Sequence, residues 1–278
     1  MSAHTQTPHT AHEGHAHPGP GGLLASSGGH TLELRTPRIA AGTRTELRFA
    51  VVRDASGEPL TAYRPQHGKE LHLIVASHDL TVYRHLHPTR GADGTWSTPV
   101  ELPSAGAYRV LADFTPEDAA APGQGLTLGA DLTADGVAHP APLPPEHHTA
   151  HIDGYEVRLA GTLRPEGASH LTLRVAKDGR PVQDLQPYLG AFGHLVALRS
   201  GDLAYLHVHP HGEPGDGQTL PGPDVSFMAT APSAGAYRLF FDFQHEDAVR
   251  TAAFTVHTRA AATGTPTAPA PHDESHAH

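Results

Sequence analysis

Two short words carry the chemistry of this sequence: Tyr83-Arg84-His85-Leu86-His87-Pro88 and Tyr205-Leu206-His207-Val208-His209-Pro210. Histidines two apart on a strand put both imidazoles on one face, and neutral imidazole is the commonest transition-metal ligand near neutral pH. A third histidine precedes each word at the same distance, His72 in one case and His194 in the other. If ELHLIVAS and LTVYRHLH form a hairpin turning at His78-Asp79, His72 opposes His85. A turn at Ser200-Gly201 opposes His194 to His207, with glycine where a two-residue turn wants positive φ. Opposed residues share a face at a Cβ separation of about 4.5 to 5.5 Å. Three imidazoles therefore converge in each copy, as bonds of about 2 Å to a metal require. Asp113 on ADF and Asp242 on FDF are expected as fourth ligands or as partners that orient an imidazole. His245 on FQHED, where the first copy has Pro116, completes the candidate set.

A lone buried histidine is more often a core residue bonded to a carbonyl than a ligand. Here the triad recurs with identical spacing in two segments that differ at many neighbouring positions, which favours a metal. Composition agrees, with 25 His against 19 Lys and Arg. Cysteine is absent and Met numbers two, so a disulfide framework, a Cys-based zinc site and a soft Cu(I) site all lack their ligands. His67, His78, His170 and His211 have no counterparts in the other copy and read as surface residues. Tyr83 and Tyr205 share the face of the histidines and read as core residues with the hydroxyl at the rim.

The elements that must position these residues come in duplicate. Gly57, Pro59, Pro65, Gly68, His72, Tyr83, His85, His87 and Pro88 recur as Gly179, Pro181, Pro187, Gly190, His194, Tyr205, His207, His209 and Pro210 at a constant offset of 122. SAGAYRVLADF from Ser104 returns as SAGAYRLFFDF from Ser233 at an offset of 129, so the Gly/Pro-rich segment HGEPGDGQTLPGP is expected to be a longer loop. The first copy shows strand patterns at TLELR, TELRFAVVRD, ELHLIVAS, LTVYRHLH, TWSTPVEL and GAYRVLADF. The AGAYR segments look like the penultimate strand of immunoglobulin-like sandwiches, whose Tyr hydroxyl ties down a corner. The expected fold is all-β, two tandem immunoglobulin-like or cupredoxin-like sandwiches over 30–137 and 152–258. A His-rich disordered tail is expected over 1–29, a Pro/His-rich linker over 138–151 and a second disordered tail over 259–278. His4, His9, His12, His15 and His17 at one end, and His272, His276 and His278 at the other, could be weak metal-scavenging arms or simply solvated residues.

The words HLIVASHDLTVYRHLHP and GHLVALRSGDLAYLHVHP, followed by SAGAYRVLADF and SAGAYRLFFDFQHEDAVRTAAFTV, resemble bacterial envelope proteins described as heavy-metal-binding or YtkA-like. The resemblance implies a sandwich fold, an envelope location, a link to copper handling, and ligands at His72, His85, His87, His194, His207 and His209. Residues 1–22 hold no apolar core of signal-peptide length, so the sequence as it stands reads as cytoplasmic, against that implication. No stretch approaches the roughly 18 apolar residues of a membrane helix.

The net charge of −10 and the lack of a Lys/Arg run argue against nucleic acid as a partner. A cupin-type metalloenzyme matches in outline through Gly201, His207, His209 and Glu213, but the first copy has no matching Glu after His87. No nucleophile elbow, P-loop or dinucleotide fingerprint is present. The expected function is non-enzymatic binding of a divalent ion, Cu(II) first and Zn(II) second by the affinity order for nitrogen donors. A metal-transport or metal-receiving protein is the expected partner, and the alternative is an interaction module without metal.

Overall fold

The computed structural model describes residues 20–117, 123–206 and 208–258. The tail histidines and His207 lie outside them, as does the side chain of His209. The first sandwich comprises β1 (Ser26–Ser27), β2 (His30–Leu34), β3 (Arg38–Ala40), β4 (Thr45–Arg53), β5 (Tyr63–Arg64), β6 (Leu71–Ser77), β7 (Tyr83–Leu86), β8 (Thr89–Arg90), β9 (Trp96–Val100), β10 (Gly106–Pro116) and β11 (Leu126–Asp135). One sheet runs β1-β2-β4-β9-β8; the other runs β3-β11-β10-β6-β7, with β5 paired to β10. The second comprises β12 (Thr149–Ile152), β13 (Tyr155–Ala160), β14 (Ser169–Lys177), β15 (Arg180–Pro181), β16 (His194–Arg199), β17 (Tyr205–Leu206), β18 (Val208–Pro210), β19 (Asp224–Ala229), β20 (Gly235–His245) and β21 (Ala248–Thr258). Its sheets run β12-β13-β14-β19-β18 and β17-β16-β20-β21. The expected all-β duplication of immunoglobulin-like sandwiches is what forms, and the six strand patterns of the first copy all become strands.

Each tyrosine corner closes as its sequence suggests. Tyr108 Oη donates to Ser104 O at 2.7 Å and Tyr237 Oη to Ser233 O at 2.8 Å. The phenol ring is buried in its own core while the hydroxyl ties the loop entering the penultimate strand.

The two sandwiches do not sit apart. Along β6, Leu71, Leu73 and Val75 face the first core, while Ile74 and Ala76 face a separate cluster that also contains Leu111, Val196, Leu198 and Phe240. Every residue of β6 is consequently buried. Sheet β7-β6-β10 of one sandwich packs its outer face on sheet β17-β16-β20 of the other, with Tyr83 stacked on Phe240 at 4.0 Å between ring centroids. Burying a Leu, Ile or Phe contributes roughly 1.5 to 3 kcal/mol, so this face adds substantially to the stability of both units.

Segments expected to be unstructured join the seam. Gly22 N donates to Thr127 O, Arg109 donates to Gly22 O and Leu23 O, and Tyr205 N donates to Gly21 O, so residues 21–23 touch both sandwiches. In the linker, Ala141 N donates to Asp79 and Leu143 packs on the shared cluster. Strand β12 begins at Thr149, inside the segment expected to be linker.

The hairpin register differs from the expected one by two residues. Ile74, not His72, opposes His85, and Leu198 opposes Tyr205. The loops are four residues long: Ser77 N donates to Val82 O, and Arg199 N to Ala204 O. Their bends fall at Leu80 (φ 59°) and Leu203 (φ 58°), whose side chains are buried in the shared cluster. A bulky residue at positive φ is unusual, and burial between the sandwiches offsets its cost. Because side chains alternate with period two, a slip of two leaves the histidine face unchanged.

Candidate metal centre

His72 lies on β6, His85 on β7, and His87 just beyond β7 where the chain leaves one sheet for the other. Potential ligand atoms of these three histidines all lie within 4.8 Å of one another. Ring centroids stand 5.4 Å apart for His72 and His85, 5.3 Å for His72 and His87, and 4.8 Å for His85 and His87. Imidazoles on one tetrahedral ion, with metal–nitrogen bonds near 2.0 to 2.1 Å, hold their centroids about 5 Å apart.

Hydrogen bonds fix the tautomers. His72 Nε2 lies 3.1 Å from Gln66 O and therefore carries the proton, which leaves the lone pair on Nδ1. His85 Nδ1 lies 2.9 Å from Asp242 Oδ2, so a proton sits there and in the neutral ring the lone pair is on Nε2. These two lone-pair nitrogens, His72 Nδ1 and His85 Nε2, face each other at 3.2 Å. In the neutral imidazoles neither has a proton to give the other. His87 Nε2 is closed off from solvent without a hydrogen-bond partner among the described residues. The donor set therefore fits a cation, with two lone pairs at about the edge length of a tetrahedron and a third, half-buried imidazole beside them.

Burial favours the neutral form of His72, His87 and His194. Desolvation, helped by the neighbouring imidazoles, pulls His72 and His87 down to about 3, and desolvation holds His194 at about 4 despite its carbonyl bond. Imidazoles that stay neutral in acid remain ligands where free histidine does not.

Asp242 belongs to the second sandwich, so His85 is oriented from across the seam. Asp242 also accepts from Thr251 at 2.6 Å and from Tyr83 Oη at 3.4 Å. Asp113 mirrors it, accepting from Thr127 at 3.0 Å and from Tyr205 Oη of the other sandwich at 3.2 Å. The two tyrosine hydroxyls thus reach carboxylates of the opposite unit, not the rim. His194 lies against this group, with centroids 6.3 Å from His72 and 6.1 Å from His85. His67, read from sequence as an unrelated surface residue, stands 5.3 Å from His194. The turn through His67 (φ 48°) and Gly68 brings it there, and nothing in the sequence marks it. A cavity of about 40 Å³ between the sandwiches is lined by His67, His72, His85, His194 and Tyr205, room for about one water molecule or an ion.

Two site candidates stand elsewhere. His245 is buried inside the second sandwich between Tyr155 Oη at 2.7 Å and Asp184 Oδ1 at 3.1 Å. On the backbone, His209 pairs with Met228 of β19, so the chain has already crossed to the other sheet there. What sequence spacing read as two separate triads is, for the described residues, one cluster at the seam.

The model of a family described as "Domain of unknown function (DUF8832)" matches residues 25–122 and 150–260, one match per sandwich. No curated protein matches the chain. Among solved structures it is similar to the Escherichia coli adhesin FdeC, at 16% identity over 84% of this chain and 65% of that chain, with a TM-score of 0.27. It is also similar to the Yersinia pseudotuberculosis adhesin InvE, at 11% identity over 82% of this chain and 58% of that one, with a TM-score of 0.26. A bacterial integrin-binding invasin matches at 16% identity over 84% of this chain and 39% of that one, with a TM-score of 0.23. The chain spans less than two thirds of each of these three.

Proposed function

This chain belongs to that family of unknown function, and we propose that it binds one divalent transition ion at the seam between its sandwiches, through His72, His85 and His87. The reading rests on one observation, the two lone-pair nitrogens held 3.2 Å apart by hydrogen bonds that fix their tautomers. Two neutral rings in these tautomers set lone pairs against each other at that distance, a repulsion relieved by a proton on His85 Nε2 or by a metal ion between them, and the spacing matches adjacent ligands on a tetrahedral ion. Cu(II) leads by the affinity order for nitrogen donors, and tetrahedral spacing also suits Zn(II). A bound ion would be handled or sequestered for delivery, as the resemblance to heavy-metal-binding sandwiches implies. The histidines would supply neutral ligands, and Asp242 would hold the His85 ring in its ligating orientation. Among the described residues no helix is long and apolar enough to cross a membrane.

The test is competitive titration of Cu(II) and Zn(II) into the full chain and into a His72→Ala, His85→Ala, His87→Ala variant. Histidines in the tails are common to both proteins, so the difference between the two curves reports the triad. Loss of about one tight equivalent supports the reading. Superimposable curves with the fold retained would leave the sandwiches as an interaction module without a metal.

A further inference from the structure

We infer that His194 supplies a fourth ligand from the second sandwich, making the ion a clamp between the two units; this rests on the metal reading above. His194 Nε2 lies 2.8 Å from Tyr188 O and so carries the proton, which leaves Nδ1 with a lone pair. Gln66 O anchors His72 in the same way, and the two carbonyls stand at equivalent places in the two copies. His194 is buried, 8% exposed, and lines the cavity shared with His72 and His85. Its centroids lie 6.1 and 6.3 Å from theirs, about 1 Å outside the spacing of a shared tetrahedral ion. A closing shift of that size between two packed sheets completes the coordination.

The surroundings favour a clamp over a site confined to the first sandwich. All three triad histidines belong to the first unit, yet the carboxylate that orients His85 and the remaining buried imidazole belong to the second. The apolar cluster of Ile74, Leu111, Val196 and Phe240 continues the same seam, so a shift at the ion is transmitted directly to packed side chains. Binding across such a seam stabilises the docked arrangement over an undocked one by the ion's difference in affinity for the two.

The test uses the full chain. Zn(II) and Cu(II) affinities are measured for the wild type, His194→Ala, His194→Gln and His151→Ala, an exposed histidine on β12, with His87→Ala as the reference for losing a triad ligand. Glutamine can still donate to Tyr188 O, so a loss shared by both His194 variants is a loss of ligation. The chain has no cysteine, so Glu101→Cys with Ala160→Cys, both exposed positions, gives one nitroxide pair that reports the distance between the units with and without Zn(II). We expect both His194 variants to lose at least tenfold in affinity, His151→Ala to stay within about twofold, and Zn(II) to narrow the distance distribution in the wild type only. If the His194 variants bind like the wild type while His87→Ala does not, the clamp is overturned and the triad reading survives. If His87→Ala also binds like the wild type, both readings fall.

Discussion

Asp242 Oδ2 of the second sandwich lies 2.9 Å from His85 Nδ1 of the first, with both side chains almost fully buried. A carboxylate behind a ligating imidazole fixes its tautomer and raises its basicity. Asp242→Asn keeps the shape but can turn its amide toward the ring, where two N–H groups compete. Zn(II) affinity should fall 10- to 100-fold with the fold retained, measured by competition with a chelator. An unchanged affinity would mean that the bond only helps dock the sandwiches.

Stability should depend on pH in a definite direction. His72 and His87 are held at about 3 and His194 at about 4, against 6.5 for a free imidazole. The unfolded chain therefore binds more protons than the folded one between pH 6.5 and about 3, and stability falls as pH drops through that window. His72 alone sets a ceiling of about 5 kcal/mol at 1.36 kcal/mol per pH unit, and His87, less buried, contributes less. Melting temperature measured without metal from pH 7 to pH 4 should decline steadily, and the decline should shrink in His72→Ala. Burial moves the protonation of these three rings well below that of a free imidazole, so acid loosens the fold before it protonates them in place.

The tyrosine corners should be worth about as much as single hydrogen bonds. Tyr108→Phe and Tyr237→Phe each remove a bond of 2.7 or 2.8 Å while leaving the ring in its core. Each should cost about 1 kcal/mol. Tyr83→Phe, whose bond to Asp242 is 3.4 Å, should cost less. Chemical denaturation of the three variants ranks them, and equal losses would contradict the geometry.

The strands, the duplication and both corners were legible because each is a local pattern: apolar alternation, a constant offset of 122, and a Tyr in AGAYR. The site was half legible. Spacing put His72, His85 and His87 on one face, and a two-residue slip could not change that. It could not reveal that the face is shared. The available signal lay in LHLIVAS and LFFDF, apolar runs without the polar alternation of a sheet open to solvent on one side. Their outer faces had to be covered, and the other copy covers them. His67 reaches the site through a turn, which no periodicity reports.

The hairpin loops give the sharpest test of what sets the register. Leu80 sits at φ 59° and is 1% exposed. Glycine there would relieve the left-handed strain, worth roughly 1 kcal/mol, but would forfeit a buried leucine worth roughly 2 to 5 kcal/mol with its cavity. Burial wins, so Leu80→Gly should destabilise by about 1 to 4 kcal/mol. Asp178, at φ 48° in a turn ahead of Gly179, is exposed, and Asp178→Gly should change stability by less than about 0.5 kcal/mol. Urea midpoints of the two variants separate these cases. If Leu80→Gly proved neutral or stabilising, the leucine would not be anchoring the seam, and the four-residue loop would owe its form to its hydrogen bonds, those of Asp79 with Ser77 and Thr81 among them.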